Sequence, residues 1–212
     1  MPSIENNRLW NSYGDNTQHW EWDDQARFCN QPYEAWKEAL AKWFMQPNIH
    51  SASDILEIGP GHGRWTKILL EHKPRTLAII DLNPEPVAYC KSLFPGVSAH
   101  VGDGRTLPFP QGCFDFIWSY DAFVHFEEDV TDSYLRDIAK CLKTGGTAVI
   151  HHSGATDRAD SSRGWRGAMT AARIQELAHR HNLLVTDQTQ TWGHQGEFNC
   201  RLHGDYITTL VK

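Results

Sequence analysis

The chain has 212 residues, 40% of them apolar and 22% charged. A chain of this length buries about 70% of the surface its unfolded form exposes, so it needs neither disulfide nor metal to fold, and it suits one ordinary domain over residues 1–212. Twenty basic against 26 acidic residues leave a formal charge of −6. That balance argues against a nucleic-acid-coating surface, because phosphate binding rests on clustered positive charge. It leaves room for a small anionic acceptor held by one or two arginines.

No apolar run approaches the roughly 20 residues that span a bilayer. The opening stretch MPSIENNRLWNSYGDN has neither the basic nor the apolar block of a signal peptide. A cytoplasmic protein with no membrane partner is therefore expected. Five cysteines, widely spread and without a CxxC pair, fit free thiols in a reducing compartment.

In chain order, residues 1–31 are polar but carry Trp10, Tyr13, Trp20 and Trp22 without a helical or strand period, so they read as an irregular lead-in. Pro32 suits a helix start, and Trp36, Leu40, Trp43 and Phe44 fall on one apolar face that Pro47 ends. Strands are expected at 54–58, 77–80, 97–101, 114–119 and 147–150. Helices are expected over 64–72, from Pro84 behind Asn83, and over 131–142. Gly145 and Gly146 read as a turn into the fifth strand. A loop (153–169), a helix (about 170–181) and two β-prone stretches (183–191 and 205–211) follow. The alternation predicts an α/β, Rossmann-like, doubly wound, mostly parallel seven-stranded sheet; the ending predicts a terminal antiparallel hairpin.

The most informative stretch is Ile55-Leu-Glu57-Ile-Gly59-Pro-Gly61-His-Gly63-Arg64. A strand ends, three glycines follow at alternate positions, and a helix begins. Glycines allow a sharp turn and close approach of a ligand, and the helix start offers free N–H groups. Asp81 ends the second strand, where an acid can bond ribose hydroxyls. The dinucleotide fingerprint wants glycine at its sixth position, which here is Arg64, so a nicotinamide oxidoreductase is disfavoured.

The Gly59-x-Gly61-x-Gly63 loop resembles that of class I S-adenosylmethionine-dependent methyltransferases. Val101-Gly102-Asp103-Gly104, Phe114–Ala122 and the passage from Tyr134 to Gly146 are similar to later motifs of that family, with Thr144 where proline is usual. The resemblance covers roughly residues 52–152. It implies S-adenosyl-L-methionine as cofactor and S-adenosyl-L-homocysteine as product. The cofactor residues it implies are Glu57, Gly59, Gly61, Gly63, Asp81, Leu82, Gly102, Asp103, Gly104, Ser119 and Tyr120, with Tyr13 in an N-terminal cover.

Methyl transfer from a sulfonium asks mainly for proximity and alignment; a base is needed only for a protonated acceptor. The candidate bases are His125, after the fourth strand, and His152, at the end of the fifth. Neighbouring strand residues face opposite ways, so only one of His151 and His152 is expected to face the pocket, and His152 is preferred. Trp20, Trp22, Asp121, Arg163, Arg166 and His194 are the candidate acceptor contacts; the arginines suit a carboxylate or phosphate. His125, His151, His152 and His194 lack ligand spacing on one element, so no metal is expected.

The function so read is methyl transfer to an O or N atom of a small molecule of sugar or secondary-metabolite type, by a monomer or homodimer without a nucleic-acid partner. The alternatives are a protein or nucleic-acid methyltransferase and a non-catalytic S-adenosylmethionine-binding module.

Overall fold

The computed structural model describes residues 25–156 and 166–212. Helix α1, Tyr33–Leu40, starts behind Pro32 and runs into a π turn, Ala41–Met45. The Asn48 side chain then donates to the Phe44 carbonyl at 2.8 Å. Trp36, Leu40, Phe44 and Met45 are buried, whereas Trp43 is 40% exposed. The expected apolar face therefore loses Trp43. A π turn holds more residues than an α turn, which moves the buried face on to Phe44 and Met45.

Five parallel strands follow: β1 (Asp54–Ile58), β2 (Thr76–Asp81), β3 (Ser98–Val101), β4 (Phe114–Ser119) and β5 (Leu142–His152). Between them lie α2 (Arg64–Glu71), α3 (Pro84–Leu93) and α4 (Glu128–Cys141). After α5 (Ala171–Arg180) come β6 (Leu184–Thr189), a small hairpin of β7 (Thr191–Trp192) and β8 (Phe198–Asn199), and β9 (Tyr206–Val211). The seven-stranded sheet has the order β3-β2-β1-β4-β5-β9-β6. Strand β9 lies between β5 and β6 and is antiparallel to both. The expected terminal antiparallel strand is present; the β7–β8 hairpin is an addition.

The strand patterns explain the layers. In β1 and β4, Ile55, Phe116 and Trp118 pack on one face with α1 and α2, while Leu56, Ile58 and Ile117 pack on the other with α4 and α5. Apolar residues on both faces are what a sheet covered on both sides requires. The chain winds from β1 to β3 in one direction and from β4 to β5 in the other. The crevice outside the carboxyl ends of β1 and β4 is thus the topological switch point, where ligands bind in such sheets. Gly145 and Gly146 lie within β5 rather than before it: the pairing jumps from Phe114–Leu142 to Phe116–Thr147, a bulge with Gly145 at φ 76°. Among the described residues, no helix is long and apolar enough to cross a membrane.

His152 corrects an expectation. Its ring is wholly buried between β5 and β9. Nδ1 lies 2.7 Å from the Ser153 carbonyl, and Nε2 2.7 Å from the Thr208 hydroxyl. Both nitrogens are engaged within the sheet, so His152 is an interstrand bridge and not a base facing a ligand. Burial holds its pKa down to about 3, against the opposing pull of the Ser153 carbonyl.

Because the folded pKa lies below the unfolded one, stability from neutral His152 is complete above the unfolded value of about 6.5 and is lost as pH falls towards 3. Between pH 7 and 4.5 this residue should account for roughly 2–3 kcal/mol of lost stability. Urea unfolding of wild type and His152→Gln at both pH values checks it: the variant should be weaker at pH 7 but show a shallower fall on acidification. Parallel slopes would mean that His152 does not titrate this way.

Candidate active site

Strand β1 delivers the chain to Gly59, whose amide donates to the Ile80 carbonyl at 2.9 Å. Gly59, Gly61 and Gly63 have φ of 73°, 52° and 81°, the left-handed region that favours glycine. Two of them are also crowded. A Cβ on Gly59 would come to 2.7 Å from the Cβ of Ala122, and one on Gly63 would meet the Phe94 ring. Above Gly61 there is open space. Gly63 caps α2 without a side chain, and the first turn of α2 holds no acid. That leaves a helix start free of negative charge, with Arg64 at its first position, of the kind that receives anions.

Glu57 lies beneath this loop, wholly buried. One carboxyl oxygen accepts the Thr66 hydroxyl at 2.5 Å, and the other has no partner among the described residues. Burial pushes its pKa to about 8, helped by the nearby Asp81 charge and opposed by Thr66; Glu57 is mainly neutral at pH 7. Asp81 closes β2. Its Oδ1 accepts the Asn83 amide at 3.0 Å, and the Leu82 and Gly61 amides also support the carboxylate. Burial nevertheless raises its pKa. Leu82 beside it is half-buried.

The Gly102 amide donates to the Asp81 carbonyl at 2.8 Å, which sets the loop after β3 against β2. Asp103 accepts the Arg105 and Thr106 amides and the Thr106 hydroxyl. Partial burial would raise its pKa, but these donors together hold it low. Gly104 is buried behind it.

Strand β4 brings three expected residues together, with different roles. The buried Ser119 hydroxyl donates to the Ile58 carbonyl at 2.9 Å. It ties β4 to β1, so its side chain does not face a ligand as expected. The Tyr120 ring is buried in the core against Trp36 and Trp65 and stacks on His151 at 4.1 Å. Its hydroxyl has no partner among the described residues, and burial raises its pKa. Asp121 has φ 63°, uncommon outside glycine, and its Oδ1 lies 3.0 Å from His151 Nδ1. Burial opposes its charge, but His151, Arg166 and Arg64 together lower its pKa. His125 ends the short 3₁₀ turn Phe123–His125 on the same loop.

One further expectation changes. Arg166 is 2% exposed, and its Nε lies 3.2 Å from both carboxylate oxygens of Asp205. A buried guanidinium requires a counter-charge, and Asp205 supplies it instead of an acceptor carboxylate. His194 is exposed and sets its ring against Trp43 at 5.6 Å. Tyr13, Trp20, Trp22 and Arg163 lie outside the described residues.

His151 and Asp205 complete the cluster. His151 was the less favoured of two adjacent histidines. Register carried the missing signal: Ser119 pairs with Ile150, which puts His151 beside Tyr120 on the face of Trp118. Nothing local in the sequence marks Asp205.

Residues 55–146 match the family model described as a methyltransferase domain. A 2-methyl-6-phytyl-1,4-hydroquinone methyltransferase of Synechocystis sp. is 28% identical over 115 residues, which is 53% of this chain and 36% of that protein. The chain spans less than half the length of the first curated relatives it matches. Among solved structures, a chain of the complex between the Haloferax volcanii Trm112 methyltransferase activator and a methyltransferase superposes with a TM-score of 0.68 at 19% identity, covering 95% of this chain and 96% of that one. The N-methyltransferase NodS of Bradyrhizobium japonicum WM9, solved with S-adenosyl-L-homocysteine, gives 0.65 at 17% identity and 97% coverage of both chains. Glycine loop, sheet order and matched residues agree: residues 55–146 are a methyltransferase domain, on the fold shared with S-adenosylmethionine-dependent methyltransferases.

Proposed function

We propose that this protein transfers a methyl group from S-adenosyl-L-methionine to an oxygen or nitrogen atom of a small molecule of sugar or secondary-metabolite type. We also propose that it does so as a single cytoplasmic domain, monomeric or homodimeric. One observation carries the cofactor reading. The glycine loop ends β1 with open space above Gly61, against Ala122 on one side and the Asp81 carboxylate on the other. When bound, S-adenosylmethionine supplies a sulfonium methyl that needs no further activation.

The chain's residues then have simple tasks. The amides at the start of α2 and of the glycine loop suit a carboxylate. Asp81 suits ribose hydroxyls. Asp103 and Gly104, behind β3, suit the adenine edge. Neutral Glu57 keeps an unpaired oxygen in reserve beneath the loop. Asp121 and His125, on the loop after β4, border the side where an acceptor would arrive, and Tyr13, Trp20 and Trp22 are assigned to its cover. The negative overall charge favours a small acceptor over a nucleic acid.

Isothermal calorimetry should show S-adenosylmethionine and S-adenosylhomocysteine binding in preference to NAD; tighter NAD binding would sink the reading. Asp81→Ala should weaken cofactor binding by about 1.5–3 kcal/mol, the worth of a charged hydrogen bond, and unchanged affinity would remove Asp81 from the ribose site. Gly59→Ala forces a side chain against Ala122 at positive φ. It should cost at least about 1 kcal/mol of stability in thermal unfolding and weaken cofactor binding too; wild-type behaviour would mean that the loops can separate freely.

A further inference from the structure

Four charged or titratable side chains form a continuous chain beneath the switch point: Asp121, His151, Asp205 and Arg166. His151 Nδ1 lies 3.0 Å from Asp121 Oδ1, its Nε2 lies 3.5 Å from Asp205 Oδ2, and Arg166 Nε closes the row on Asp205 at 3.2 Å. The side chains of His151 and Asp205 are 0% exposed and that of Arg166 2%; Asp121 is 17% exposed. The buried row thus opens outward at Asp121 alone of its members. Asp121 sits in the left-handed region, and its neighbour Ala122 touches the glycine loop. Backbone held in a sparsely populated conformation next to a cofactor loop is a mark of function.

His151 Nδ1 also has a second suitor. The Asp121 amide points at the same nitrogen from 3.3 Å. A bare Nδ1 accepts that amide, and a protonated Nδ1 donates to the carboxylate; it cannot do both. One ring nitrogen therefore answers to the proton state of the Asp121 loop.

Resting on the methyltransferase reading, we propose that Asp121 takes the proton of a hydroxyl acceptor, with His151, backed by Asp205 and Arg166, as the positioning residue that aims its carboxylate. The groups around Asp121 select the acceptor class. The charged and titratable groups that act on Asp121 are His151 on β5, Asp205 before β9, Arg166, Arg64 on α2, Cys200 after β8 and Tyr120 on β4. Asp205 already balances Arg166, and Arg64 adds a further cation, which disfavours a nitrogen that gains positive charge in the transfer and favours oxygen that gains negative charge. In the step, an acceptor oxygen forms its bond to the methyl carbon as the carbon–sulfur bond breaks and its electron pair returns to sulfur. The hydroxyl proton passes to Asp121.

The test uses the full chain with phenol and aniline as matched probes, S-adenosylhomocysteine release as the rate, and calorimetric binding of S-adenosylhomocysteine as the control. Phenol should be methylated and aniline should not. Asp121→Asn should lower kcat about 100-fold, as loss of a general base does, with cofactor affinity within about twofold of wild type. His151→Asn can place its amide where Nδ1 was and should keep most of kcat; His151→Gln reaches only the Nε2 position and should lose about tenfold in kcat at unchanged KM. Equal losses in the two His151 variants, or equal rates with aniline, would overturn the proposal. So would no transfer to phenol by protein that binds S-adenosylhomocysteine. Failure of the wild type to bind S-adenosylhomocysteine would instead overturn the cofactor reading beneath it.

Discussion

Gly59 and Ala122 meet where two loops leave the sheet on opposite windings, with too little space between them for one extra carbon atom. That near-contact joins the half of the sheet that reads as the cofactor side to the half that reads as the acceptor side. Glycine is required at Gly59 twice, once for its positive φ and once for the space. Next to Ala122 in the chain, Asp121 adopts a left-handed turn and sets its carboxylate on His151. A side chain added at Gly59 would therefore meet the loop after β4 directly, at Ala122.

Burial sorts the polar residues into two kinds. Ser119 and His152 have partners inside the sheet for every group they bury, and they add cohesion between strands. Glu57, Tyr120 and His151 each leave one buried polar atom without a hydrogen bond among the described residues. Such atoms cost stability when left unmatched. These three lie towards the carboxyl ends of β1, β4 and β5, the end of the sheet that the glycines also mark.

Much of the fold was legible in the sequence because its signals are local. β1 and β4 are short stretches rich in large apolar residues, and the structure has them at the expected residues. The glycine loop carries its own geometry in residue type. What failed depended on context. Trp43 moved outward because a π turn changes the helical period. The β7–β8 hairpin has two residues per strand, too short for any period. His151 against His152 turned on strand register, and Arg166 on an acid 39 residues away. Pairings across the chain leave no trace in a single sequence, and the ionic row under the site is built from such pairings.

Strand β9 fills the place between β5 and β6. Strand β6 has no partner until β9 is made, and the edge of β5 stays open until then. During synthesis the first five strands can assemble early, because their contacts are comparatively close in sequence. The acidic half of the ionic row, Asp205, arrives with the same late segment that seals the sheet. A nascent chain therefore cannot complete the ionic row until the segment that carries Asp205 and β9 is made, and Arg166 lacks this counter-charge until then.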